Sequence, residues 1–177
     1  YEYDMLGQRV SRLHPDAGLD VWTYDNAGHM IAHASQQLND LGTSVNYRYN
    51  YNQLVEVQYP QFPFNNTTYW YGYRDEGNDA GRVTKIKDGS GVQNISYGNM
   101  GEVVKIIRTF ALPYDDRTYT FDMEFSYDSW NRMQSISYPD GEVVQYHYNS
   151  RGDLDGVDGT KNGIVYPYIN DIVYNRF

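Results

Sequence analysis

The chain of 177 residues has no cysteine. That excludes disulfide staples and thiolate chemistry, and removes the usual indication of redox compartment. It has no apolar run long enough to span a bilayer and no secretory leader at Tyr1. Clustered Lys and Arg are also missing. With a formal net charge of −9, the chain is unsuited to the phosphate backbone of nucleic acid or to an anionic membrane surface. No long stretch carries apolar residues at helical spacing, so helix is predicted to be scarce, with Gln36–Leu41 forming one turn at most. The apolar load sits in 20 Tyr rather than in Leu, Ile and Val, which argues against an aliphatic core.

The tyrosines recur in one setting. Tyr3-Asp4-Met5-Leu6-Gly7, Tyr24-Asp25-Asn26-Ala27-Gly28, Tyr97-Gly98-Asn99-Met100-Gly101 and Tyr148-Asn149-Ser150-Arg151-Gly152 are variants of one phrase, and Tyr127-Asp128 opens another with Asn131 at the glycine position. Taking the anchors as Tyr3, Tyr24, Tyr49, Tyr73, Tyr97, Tyr127, Tyr148 and, weakly, Tyr168 gives spacings of 21, 25, 24, 24, 30, 21 and 20 residues. Residues 1–177 thus read as a single array of about seven to eight repeats. A unit this short cannot bury its own apolar face and must stack on its neighbours. Because the array begins inside a repeat, it is expected to be a fragment of a longer chain.

Within a unit, Gly7, Gly28, Gly101, Gly152 or Asn131 supplies a residue able to take positive φ in a tight turn. A polar residue and then an apolar one follow, as in His29-Met30, Arg82-Val83 and Arg132-Met133. Strand, turn, strand is a β-hairpin. From Tyr119 to Tyr127 every odd position is aromatic or Met and every even one polar, the alternation of a strand with one wet face. The predicted fold class is all-β: repeated hairpins forming a curved antiparallel sheet strip.

These phrases, together with Gly7-Gln8-Arg9-Val10-Ser11-Arg12 and Tyr138-Pro139-Asp140-Gly141 leading to Tyr146-His147-Tyr148, resemble the YD repeats of the Rhs family. That family includes bacterial Rhs proteins, the BC component of Tc toxin complexes and animal teneurins. The resemblance implies a sheet strip that spirals into a hollow shell, which in bacterial members encloses a C-terminal toxic polypeptide. It also implies an exported or surface-associated protein without cofactor. The Asp-Pro-x-Gly core segment found in cargo-carrying members has no counterpart, since Asp-Pro does not occur. The fragment is therefore expected to be wall, its partners the remainder of its own parent chain, both shell and C-terminal cargo.

Other signals have simpler explanations. Asp153 to Gly159 resembles half a calcium loop, but an EF-hand register would put Arg151 and Asn162 at its ends, and a solvated turn is the expectation. His29 and His33 have zinc-like spacing without a third ligand nearby. Asp115-Asp116 and Asp75, Glu76, Asp79 could be imagined as paired carboxylates for glycoside hydrolysis, yet they lie in insertions where acids keep loops in water. The sequons at Asn65-Asn66-Thr67-Thr68 and Asn94-Ile95-Ser96 carry meaning only in a teneurin-like setting. No catalytic or metal residues are assigned. Trp22, Trp70 and Trp130 are candidate glycan contacts, weighed against filling seams between hairpins. The reading is a non-enzymatic shell segment; the rival is a surface adhesin binding glycan through an aromatic face. Unpaired end strands are expected to self-associate.

Overall fold

In the computed structural model, residues 1–73, 77–112 and 117–174 are described. The strands are β1 (Glu2–Tyr3), β2 (Arg9–His14), β3 (Gly18–Tyr24), β4 (Met30–Ala34), β5 (Val45–Asn50), β6 (Gln53–Gln58), β7 (Thr67–Tyr71), β8 (Val83–Asp88), β9 (Gly91–Tyr97), β10 (Val103–Ala111), β11 (Thr118–Tyr127), β12 (Met133–Ser137), β13 (Val143–Tyr148), β14 (Leu154–Lys161) and β15 (Ile164–Ile169). Besides one 3-10 turn at Pro63–Asn65, the only helix among the described residues is α1 (Gln36–Asp40), where the sequence predicts a single turn. The fold is all-β and antiparallel, hairpin following hairpin, as the alternation of polar and apolar residues predicts.

Two compact units divide the chain: Tyr1–Trp70 with Ile86–Gly91, and Tyr71–Lys85 with Val92–Phe177. In the first unit, β1 to β7 pair each with the next in chain order. In the second, β10 to β15 do the same. Short turns make this order the natural one, because an antiparallel neighbour is reached without a crossover.

The buried apolar side chains are few and small. The first unit has Ala34 and Val57; the second has Ile136, Val144 and Val157, with Ile136 directly opposite Val144. None is fully buried. On β11 the predicted alternation holds at Tyr119, Met123 and Phe125, while Phe121 stays exposed and stacks on Phe110 of β10 at 5.5 Å. Stability therefore depends on sheet hydrogen bonds and local polar contacts more than on a conventional interior.

Elements that interrupt the hairpins have defined jobs. Gln36 of α1 accepts the Leu19 N–H at 2.9 Å and Asn39 donates to the Leu19 carbonyl at 2.9 Å, so the helix satisfies the start of β3. Gly18 is required there: a Cβ would fall 2.6 Å from that of Gln36. In the loop after β6, Asn66 Oδ1 accepts the Tyr59 N–H at 2.8 Å.

Asp20 of β3, only 7% exposed, is the one buried charged residue among those described. It accepts hydrogen bonds from Arg12 Nε and Nη2 at 3.1 and 2.5 Å and lies 3.2 Å from His33 Nε2. The Arg12 guanidinium foremost, and His33 after it, hold the Asp20 carboxyl below its ordinary 3.8 against the opposing effect of burial. A carboxyl depressed on folding stabilises above its unfolded pKa and loses that contribution as pH falls through the folded one. In denaturant unfolding below pH 3.8, the wild type is expected to lose stability more steeply than Asp20→Asn; parallel losses would remove this cluster from the account.

Candidate functional surface: the turn ladder

Five anchor tyrosines, Tyr3, Tyr24, Tyr49, Tyr127 and Tyr148, each end an incoming strand at an irregular register step. The step falls between Glu2 and Tyr3, Thr23 and Tyr24, Arg48 and Tyr49, Ser126 and Tyr127, and His147 and Tyr148. Such a bulge re-aims the side chain and increases the local twist. Four of these, Tyr24, Tyr49, Tyr127 and Tyr148, and with them Tyr97, make one common bond. Their hydroxyls donate to the carbonyl of the first residue in the preceding hairpin's outgoing strand: Tyr24 to Arg9 at 3.0 Å, Tyr49 to Met30 at 3.1 Å, Tyr97 to Val83 at 2.7 Å, Tyr127 to Val103 at 3.0 Å and Tyr148 to Met133 at 2.8 Å. One repeat is bonded to the next by a phenol.

The weak anchor needs correction. Tyr168 turns its hydroxyl to Glu142, whereas Tyr174 donates to the Leu154 carbonyl at 2.9 Å, at the start of β14. Proximity to the expected period made Tyr168 the sequence choice; the five residues after β15 shift the role to Tyr174. The anchor assigned to Tyr73 also moves. Gly72, following Tyr71, donates to the Arg82 carbonyl at 2.9 Å, the bond made by Asp4 to Gln8, Asp25 to His29, Asp128 to Arg132 and Asn149 to Asp153 in other units. Tyr73 lies exposed inside the enlarged loop.

The residue after the tyrosine builds the turn. Asp4 Oδ1 accepts the Leu6 and Gln8 N–H groups at 2.9 and 2.8 Å, and Asp25 Oδ1 those of Ala27 and His29 at 2.9 and 2.8 Å. Asp128 Oδ1 takes Trp130 and Arg132 at 2.9 and 3.0 Å, and Asn149 Oδ1 takes Arg151 and Asp153 at 2.9 and 3.1 Å. The chain then reverses through positive φ at Gly7 (78°), Gly28 (89°), Asn131 (60°) and Gly152 (90°). Asparagine tolerates this conformation better than most side chains, which explains its substitution for glycine. Where the acid is missing, at Gly98, Glu102 reaches back and its Oε2 accepts the Met100 N–H at 2.8 Å. A Cβ at Gly98 would sit 2.0 Å from Glu102 Oε1. The glycine makes room for the replacement carboxylate.

Neighbouring turns touch through the polar residue after the turn glycine. Gln8 Nε2 donates to the Gly28 carbonyl at 3.2 Å; His29 stacks on Tyr49 at 4.7 Å and bonds Asn52 at 3.1 Å; Arg82 lies over Tyr97 at 5.7 Å and Arg132 over Tyr148 at 4.2 Å. Sequence reading registers these positions as polar but misses that they reach sideways. The available signal is that the position varies in type while the following one is apolar at Met30, Val83 and Met133.

The charges follow the same geometry. The Asp25 carboxylate lifts the His29 imidazole above its ordinary 6.5, and His29 in turn holds Asp25 low. Burial pushes Asp128 up, but the Arg132 side chain, the backbone N–H groups of Arg132 and Trp130 and the Arg132 charge together keep it below 3.8.

Other sequence candidates are dispersed. Trp22 on β3 is covered by Arg9 at 4.1 Å and stacks on His33 at 5.2 Å; Trp70 is 40% exposed on β7; Trp130 occupies a turn tip in the second unit. His29 and His33 face different carboxylates, Asp25 and Asp20. The segment read as a solvated turn is strand β14: Asp158 pairs with His147 at 2.8 Å, and Asp153 just before the strand pairs with Arg151 at 3.2 Å. The Asp75, Glu76, Asp115 and Asp116 proposals lie outside the described residues. No group of three metal-ligating side chains occurs among those described, and no helix there is long and apolar enough to cross a membrane.

Comparison with known proteins places this fold. No family model and no curated protein matches the chain. Solved structures do. A crystal structure of TcdB2-TccC3 superposes with a TM-score of 0.80 at 17% identity, over 98% of this chain and 10% of that one. A TcdB2-TccC3-Cdc42 structure gives 0.80 at 18% identity, and a TcdB2-TccC3-TEV structure 0.78 at 18%, each over 97% of this chain and 9% of the other. The chain thus shares its fold with about a tenth of much longer chains.

Two outcomes test the ladder. Tyr127→Phe deletes one hydroxyl bond to a part-buried carbonyl and is expected to lower unfolding free energy by about 1 kcal/mol, measured by denaturant titration. The His29 imidazole is expected to titrate above 6.5 in NMR. Because its folded pKa is raised, its stabilisation is complete below 6.5 and disappears as pH rises through the folded value. Asp25→Asn should lower that midpoint; an unchanged midpoint would refute the pairing.

Proposed function

We propose that this chain is a wall segment of a YD-repeat shell in a large exported bacterial protein of the Rhs type, with no catalytic role of its own. The observation that carries the proposal is the superposition of nearly the whole chain on about a tenth of TcdB2-TccC3 chains. Such a segment acts as part of an assembled surface. Its work is to continue a hydrogen-bonded wall, for which the tyrosine bonds between repeats are suited. The likeness to Tc toxin shells supports a partner in the remainder of the parent chain. Encapsulation of a C-terminal toxin or effector extends this reading, and so does export to the cell surface or medium.

As a container, the wall would bind its cargo weakly and over many residues, shielding it from water and proteases until delivery. The array of repeats from residue 1 to 177, with its tyrosines, turn acids and glycines, is the structural element of that wall. The glycan-binding adhesin draws less support, because Trp22 of the first unit is covered by Arg9 and stacked on His33. At β15 every residue is exposed, and Ile164, Val165, Tyr166, Tyr168 and Ile169 are apolar or aromatic. Such an edge templates pairing with another strand.

The test is the mass of the full parent protein, purified natively and then denatured. A separate C-terminal fragment that stays bound until denaturation is expected; an intact chain with no protease-protected C-terminal segment would overturn encapsulation. For residues 1–177 alone, sedimentation is expected to show association that Val165→Lys suppresses. Monodisperse monomer at high concentration would exclude a sticky edge.

A further inference from the structure

The outgoing strand of a repeat opens on an apolar residue and places a second one three positions later, as in Val103 and Ile106, Met133 and Ile136, and Leu154 and Val157. Ile136 and Val157 are buried. In the first repeat the same two positions hold Arg9 and Arg12, and in the second repeat the later one holds His33. On the incoming strands, four residues before the tyrosine, Asp20 stands where Val45, Met123 and the buried Val144 stand. Four polar or charged side chains of the first unit thus occupy places that these other repeats fill with apolar ones. Stability does not call for them, since replacing a buried ion pair by well-packed apolar residues of similar volume is often neutral or stabilising.

The three basic members converge on Trp22. Arg9 lies over the indole at 4.1 Å, Arg12 at 5.9 Å, and the His33 ring stacks on it at 5.2 Å. Arg12 is answered by Asp20, and His33 Nε2 lies 3.2 Å from the other oxygen of the same carboxylate. Arg9 differs. No carboxylate among the described residues lies within ion-pair reach of it, and its guanidinium donates no hydrogen bond to any of them. The acids of its own hairpin are committed elsewhere: Asp4 Oδ1 takes the turn N–H groups, and Glu2 accepts from the Ser11 hydroxyl at 2.7 Å. In a chain of net charge −9, a half-buried cation is left over and held against an indole. A guanidinium with one face on an aromatic ring keeps the N–H fork at its edge, and that fork matches the two oxygens of a carboxylate. Charge narrows the choice of anion. With Arg12 and Asp20 cancelling, the cluster offers one uncompensated positive charge, and the second charge of a phosphate dianion would face the Asp20 carboxylate with no free cation to answer it.

We infer that Arg9, backed by Trp22, is a binding site for a single carboxylate group, which accepts hydrogen bonds from the edge of the guanidinium. This does not rest on the shell reading. A free organic acid and a glutamate side chain in a polypeptide present the same group, and the experiment separates the two sources.

The test uses residues 1–177 labelled with ¹⁵N, at about pH 8, where an ordinary histidine is uncharged. Sodium acetate, a capped tetraglutamate peptide, its tetraglutamine counterpart and inorganic phosphate are titrated in turn at constant ionic strength. Saturable shifts of the Trp22 indole N–H with acetate and with tetraglutamate are expected, the Trp130 indole staying still. Equal affinity for the two identifies the bare carboxylate as the ligand, and tighter binding of the peptide identifies an acidic polypeptide segment; either supports the site. Arg9→Met, which installs the residue of the second repeat, should abolish binding and leave the fold intact. Arg9→Lys keeps the charge without the fork and should weaken binding about tenfold. The inference is overturned by no saturable shift with either carboxylate, by phosphate binding more tightly than acetate, by tetraglutamine binding as well as tetraglutamate, by binding that survives Arg9→Met, or by unfolding of that variant.

Discussion

Everything else in this chain depends on one bond made repeatedly, from a tyrosine hydroxyl to the opening carbonyl of the hairpin before it. At Tyr24, Tyr49, Tyr127 and Tyr148 a bulge precedes the tyrosine and re-aims a ring that a regular pleat would leave standing perpendicular to the sheet. A carbonyl at the start of an outgoing strand lies beside a turn, where ladder partners run out. The phenol supplies a donor there and covers the gap with its ring. This explains why tyrosine fills the role and phenylalanine would not.

The consequence is a distribution of stability unlike that of a domain with a single interior. The apolar core contributes Ala34, Val57, Ile136, Val144 and Val157, none of them large aromatics. Each turn adds its own closed set of polar bonds, and Gln8, His29, Arg82 and Arg132 reach one unit further. Loss of any single contact is therefore felt locally, between two neighbouring hairpins, as expected for quasi-one-dimensional architectures. The same locality accounts for tolerance of the enlarged loop between Gly72 and Arg82, whose ends still close through the usual bond.

Much of this was legible before any coordinates. The Tyr-Asp-x-x-Gly phrase predicts strand, turn, strand, and the turns at Asp4, Asp25, Asp128 and Asn149 follow it closely. The alternation on β11 was readable because sheet faces impose a period of two. Spacing alone does not locate the bonded tyrosine at the two degenerate units. Tyr168 and Tyr73 fall near the expected period, but the role is fixed by which residue precedes the turn bond and which hydroxyl reaches the carbonyl, and both depend on loop insertions that no period encodes. The lateral role of Gln8, His29, Arg82 and Arg132 was hidden for another reason: four unlike side chains share a position and a direction but no single chemistry.

That last point bears on how far such a fold can drift. At Gly98 the turn acid has moved four residues along the chain to Glu102, and the bare glycine is what lets the carboxylate occupy the vacated space. Asn131 replaces glycine at positive φ, and Asn149 replaces aspartate as the acceptor of two N–H groups. In each case the constraint is an acceptor in a place or a backbone conformation, and more than one residue meets it. A fold held by such positional requirements can keep its geometry while most of its letters change. That is the relation observed here, where 17% identity accompanies a TM-score of 0.80. The tyrosine is the exception, because its bond requires both a ring long enough to cross to the neighbouring hairpin and a donor at its tip, and no other side chain combines them at that reach.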